Sequence, residues 1–156
     1  MNNFIIEDIK NFKIDFDFPI KGFSAPANYK TDKEVSKHSS HSVLGITLSS
    51  GKLETASNTY QLPGCMYFAT NEFIKLSCEH GFLIYVDEFN SMNCVGGPIE
   101  NEGRLKYIDG CTDSLLIPPV IKGDPCLNAL YFPKETKQTF HTHPSFRLGV
   151  VLKGKG

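Results

Sequence analysis

Short apolar runs cut by turn-forming residues fill this sequence, and that pattern restricts it to folds made of many short strands. The runs at residues 43–48, 65–69, 73–77 and 81–86, with a polar strand or hairpin arm at 52–60, are broken by Ser49-Ser50-Gly51, by Leu62-Pro63-Gly64 and by similar turn sequences. Turns therefore recur about every ten residues, the spacing of a sandwich or barrel. No segment sustains the apolar period of an amphipathic helix, so an all-β chain with little helix is expected. Upstream, Phe12, Ile14, Phe16 and Phe18 alternate with Lys13, Asp15 and Asp17 until Pro19, which is strand periodicity. Residues 22–40 are polar and turn-rich and read as a loop, with His38 and His41 as solvated side chains.

Residues 88–125 are rich in glycine and proline and read as a long connection with one short strand near 104–108. Within it, residues 107–113 carry polar side chains suited to reaching a ligand or to an Asx-turn network. Strands are then expected at 126–132, 138–143 and 147–152, with a turn at 133–137. Residues 44–49 faintly resemble residues 148–153, an offset that suits one small β-barrel repeated.

Charge and hydropathy exclude several classes. With 16 basic and 17 acidic residues the formal net charge is -1, which gives no electrostatic case for nucleic acid or an anionic membrane. No stretch reaches the roughly 18 apolar residues of a membrane span. The acidic start does not resemble a signal peptide. Five cysteines, odd in number and without a CxxC pair, imply reduced thiols in a cytoplasmic protein. Cys78 and His80 share a strand spacing, which marks a strand face before it marks a ligand pair.

The chemistry concentrates between Gln138 and Gly156. In a strand, residues two apart share a face, so His141 and His143 project together, opposite Phe140 and Thr142. Two imidazoles on one face supply half of a metal site.

Residues 135–154 resemble the first conserved motif of the cupin superfamily. That motif is a glycine, five residues, His-x-His, three or four residues, a glutamate, six residues and a glycine. His141, His143 and Gly154 fall on it, and Pro144 follows as it often does. Glu135 stands where the first glycine is expected, and Arg147 where the metal-binding glutamate is expected. Pro63-Gly64-Cys65-Met66-Tyr67, followed by Asn71, resembles the tail of the second motif, with Tyr67 in the histidine's place.

The resemblance implies a bicupin-like arrangement of jelly-roll β-barrels. Residues 1–100 would form a degenerate first barrel, 101–125 a connecting loop, and 126–156 the start of a second barrel that continues past Gly156. It implies a divalent metal (Fe, Mn, Ni or Zn) held weakly by His141 and His143, with Arg147 and Tyr131 as candidate ligand-binding residues. Arg147 repels a cation, suits a carboxylate or phosphate, or lies at the barrel rim. Tyr131 lines the cavity or belongs to the barrel wall. The function implied is a metal-dependent enzyme acting on a small organic acid. The alternatives are a non-catalytic module binding an anion or sugar, and a structural barrel without a site. Cupin barrels commonly pair sheets between subunits, so a homodimer is expected.

Overall fold

A computed structural model describes residues 13–15, 20–25, 29–30, 41–72, 74–87, 89–143 and 147–155. Among them the regular structure is thirteen strands and one 3-10 turn, and all strand pairs are antiparallel. The strands are β1 (Lys13–Asp15), β2 (Ile20–Ala25), β3 (Tyr29–Lys30), β4 (His41–Thr47), β5 (Gly51–Thr55), β6 (Thr59–Leu62), β7 (Met66–Thr70), β8 (Ile74–Cys78) and β9 (Gly81–Asp87). They continue as β10 (Cys94–Gly96), β11 (Leu105–Lys106), β12 (Thr112–Ile117) and β13 (Leu127–Tyr131). The first sheet has the order β1-β2-β9-β4-β7-β10, the second β3-β8-β5-β6, and the third β11-β12-β13.

The pairings from β2 to β9 are nested: β2 with β9, β3 with β8, β4 with β7, and β5 with β6. The pairs alternate between the first and second sheets, as a long hairpin does when rolled up on itself. What drives the rolling is the apolar face on each arm. Ile74, Leu76 and Cys78 of β8 are buried while Lys75 is exposed, the alternation of a half-buried strand. With Leu53 and Leu62 they meet Val43, Phe68 and Leu83 of the first sheet in one core.

The opposite face of the first sheet is also covered. Leu44, Ala69 and Val86 pack there with Phe89 and Ile117, and Leu116 and Leu127 of the third sheet join them. β4 is accordingly buried at every position from Ser42 to Thr47, as expected for a strand covered on both sides. Gly45 is required there. A Cβ at this position would overlap the Phe68 ring and crowd Leu83. Ser42 anchors the chain after β9: its hydroxyl donates to the Phe89 carbonyl at 2.5 Å and accepts the Ser91 N–H at 2.8 Å.

A surface network lies at the same end of the first sheet, where Val43 of β4 pairs with Thr70 of β7. Glu72 accepts the Ser57 N–H at 2.9 Å, the Ser57 hydroxyl at 2.6 Å and the Asn93 amide at 2.8 Å. Asn93 in turn accepts the Thr70 hydroxyl at 2.8 Å. The Ser57 hydroxyl, then Thr55 and the Ser57 N–H, hold the Glu72 carboxyl below its ordinary 4.5. A depressed folded pKa stabilises above the unfolded value, and the contribution disappears as pH falls through the folded one. Between about pH 5 and 3 the melting temperature should therefore fall more steeply in the native protein than in Glu72→Gln. Parallel curves in circular-dichroism melts would contradict this.

Three expectations are corrected. Residues 22–40, read as loop, contain the end of β2 and all of β3. β2 is Ile-Lys-Gly-Phe-Ser-Ala, whose small residues hide the alternation, and its six-residue pairing with β9 overrides that weak local preference. Residues 88–125 contain β10 and β12 besides the short strand at β11. The first half of β12 is polar, but Asp113 accepts the Asn128 amide of β13 at 2.7 Å, which supports a polar residue in a ladder. Finally, residues 138–143 and 147–152 form no strand. The Thr139 N–H bonds to the Asp109 carboxylate instead of to a neighbouring strand. The echo between 44–49 and 148–153 thus pairs a buried strand with a segment outside any sheet. Among the described residues no helix is long and apolar enough to cross a membrane.

Candidate metal site

The segment after β13 is tied back to the turn before β12. Tyr107 leads into the 3-10 turn Ile108–Gly110, closed by Tyr107 N–H to the Cys111 carbonyl (2.9 Å) and Cys111 N–H to the Ile108 carbonyl (3.0 Å). Cys111 itself is buried. Asp109 has a φ of 55°, a left-handed conformation that Asp tolerates ahead of Gly110. From there its carboxylate accepts the Thr139 N–H at 2.6 Å and the Thr139 hydroxyl at 3.0 Å. The Thr139 N–H, then its hydroxyl, hold the Asp109 carboxyl below its ordinary range.

This clamp sets the backbone that carries His141. The His141 Nδ1 lies 2.8 Å from the Thr139 carbonyl, which can only accept, so Nδ1 bears the proton and Nε2 a lone pair. Arg147 Nη2 lies 3.2 Å from His143 Nδ1. A guanidinium can only donate, so His143 Nδ1 is the acceptor and the proton of the neutral ring sits on Nε2. That N–H faces the His141 lone pair, with the two Nε2 atoms 3.1 Å apart and the rings edge to face at 82°. Partial loss of hydration, then the charges of Arg147 and His141, hold His143 below the ordinary imidazole range. All three side chains are exposed.

The pair meets the geometric requirement for two positions on one ion. Ligands about 2.0–2.1 Å from an ion and separated by this distance subtend roughly 95–100° at it. The Thr139 carbonyl supplies the outer partner that orients a ligating imidazole. His143 meets the requirement only after a change: to offer Nε2 it must carry its proton on Nδ1, where Arg147 now donates. Among the described residues no third His, Cys, Asp or Glu completes a group.

Of the residues singled out in the sequence, His141, His143 and Arg147 are brought together. They meet without the regular strand that the spacing implied, held by the Asp109–Thr139 clamp, the His141–Thr139 contact and the Arg147–His143 contact. Phe140 points fully into solvent. Tyr131 ends β13 opposite Thr112, is exposed, and makes no hydrogen bond or ring contact with the histidines. Tyr67 turns away from the interior that Phe68 fills, joins the second core and lies over Gly96. Cys78 is buried, which pushes its thiol up, while His80 is exposed. Tyr107 and Asp109 belong to the run 107–113, whose polar side chains the sequence offers to a ligand or an Asx-turn network, whereas Thr139 was not singled out. Asp109-Gly110 carried a turn signal, but nothing local pointed to Thr139.

Comparison with protein-family models, with curated proteins and with solved structures gives no match for this chain.

Proposed function

We propose that the chain is a cupin-type jelly-roll protein in which His141 and His143 hold a divalent metal (iron, manganese, nickel or zinc) and Arg147 takes the carboxylate of a small organic acid. The observation that carries this reading is the convergence of the two imidazole Nε2 atoms at 3.1 Å. The jelly-roll part is supported by the nested pairing of β2 to β9 across two sheets, the connectivity of a double-sheet roll. Apolar side chains fill the space between those sheets, which fits a first barrel without ligands. Residues 1–100 are thus read as the bracing barrel, and the histidine segment as part of a second. Free thiols fit a cytoplasmic protein.

Arg147 couples the two ligands. A carboxylate accepts paired hydrogen bonds from a guanidinium better than an imidazole nitrogen does. When an organic acid draws Arg147 away, His143 Nδ1 is free to take the proton and Nε2 to offer its lone pair. The metal, once bound, supplies a Lewis acid with open positions for substrate oxygen.

The Arg147–His143 contact also favours a second reading, a metal-free module that binds an anion or sugar. A thermal-shift series with each metal, with small organic acids, and with both plus a chelator separates the two. Metal and acid together should stabilise more than the sum of each alone. At a hundredfold excess over Kd the rise in Tm should be about 5–10 °C, and the chelator should abolish it. Acid stabilisation that survives the chelator supports the second reading. No shift under any condition contradicts both.

A further inference from the structure

We infer that the phenol oxygen of Tyr107 is a third ligand of this metal, making the site two imidazoles and one phenolate. The inference rests on the His141–His143 reading above. Tyr107 Oη lies 3.5 Å from His141 Nε2, the same atom that lies 3.1 Å from His143 Nε2. Two ligands about 2.0–2.1 Å from one ion and 3.5 Å apart subtend roughly 115–120°. Each separation therefore suits two neighbouring positions around an ion, with His141 Nε2 common to both. By contrast, 3.5 Å is long for a hydrogen bond to a hydroxyl, so the contact is poorly explained as one. The rings meet edge on at 76° with centroids 6.3 Å apart, and it is the phenol oxygen that approaches Nε2 of His141.

The approach is built in. Tyr107 is fixed by the closed turn to buried Cys111, and His141 by the Thr139 carbonyl. The Asp109 clamp joins the two segments between those points. Asp109 is itself a poor candidate ligand, because Thr139 engages both of its oxygens. A phenol ligates as phenolate, with its proton passing to water. One negative charge then enters a site where Arg147 has replaced an acid. Phenolate is a hard donor, which directs the preference among the candidate metals towards iron, as with the tyrosine ligand of some haem irons.

The test loads the full chain with Fe(II) without oxygen, then admits air, the dioxygen serving as oxidant to Fe(III). Native protein and Tyr107→Phe are compared by visible absorption, by resonance Raman and by Zn(II) affinity. Far-ultraviolet circular dichroism confirms that both fold. The native protein should show a phenolate-to-iron charge-transfer band with enhanced phenolate ring modes. Tyr107→Phe should lack both and bind Zn(II) at least about tenfold more weakly. A native protein that takes up metal without the band, or a band that persists in Tyr107→Phe, overturns this inference and leaves the histidine pair standing. A native protein that takes up no metal overturns both.

Discussion

Replacing Phe68 with alanine should lower the free energy of unfolding by about 3–5 kcal/mol, the range for emptying a buried aromatic site. Phe68 is 0% exposed and sits where the first and second sheets meet, among Val43, Leu53, Leu62, Leu76 and Leu83. Its ring lies across Gly45, in space that a side chain on β4 would otherwise fill. Apart from Leu62 on the edge strand β6, these neighbours sit on strands paired on both sides, so they collapse poorly into the cavity, and the loss should fall high in the range. Domains of ordinary size have only about 5–15 kcal/mol in total, so this one change removes a large share. Urea unfolding should show a lower midpoint with an unchanged slope. A loss below about 1.5 kcal/mol, the level of a tolerated core swap, would mean that the two sheets do not meet at this residue.

The second large effect is on metal affinity. His141→Ala and His143→Ala should each weaken Zn(II) binding by more than the roughly 10–100-fold that loss of an outer-shell partner produces, because each removes a ligand outright. Arg147→Gln should act in the opposite direction. It removes the donor that holds His143 in the tautomer with Nε2 protonated, and it removes a positive charge beside the ion. Competition with a chromophoric chelator measures all three. Equal affinities in native protein, His141→Ala and His143→Ala would place the metal elsewhere.

Strands β4, β7, β8 and β9 are legible in the sequence because their apolar runs are bounded by turn-forming residues, whereas the break between β5 and β6 is not, since 52–60 carries no glycine or proline and reads as one arm. β2 and β12 are not, since their stability comes from partners rather than from their own pattern: β9 supplies the ladder for β2, and Asn128 supports Asp113 in β12. The histidine pair is legible because two-residue spacing leaves the two rings close enough to meet, although the strand expected to align them is absent. Arg147 is legible as a neighbour, but its hydrogen bond to the far nitrogen of His143 is not, because that depends on ring orientation. Tyr107 and Asp109 reach His141 and Thr139 across 34 and 30 residues, and no local period carries such contacts.

The central claim is that His141 and His143 offer their Nε2 atoms to one ion. Long-range proton–nitrogen NMR of the imidazoles, with Zn(II) added in the presence of a small organic acid, tests it most directly. One equivalent of zinc should shift the Nε2 resonances of both rings together. Both Nδ1 atoms should then be protonated, that of His143 for the first time. Imidazole spectra unchanged at several equivalents of zinc, or His143 still accepting a proton at Nδ1 when zinc is bound, would contradict it.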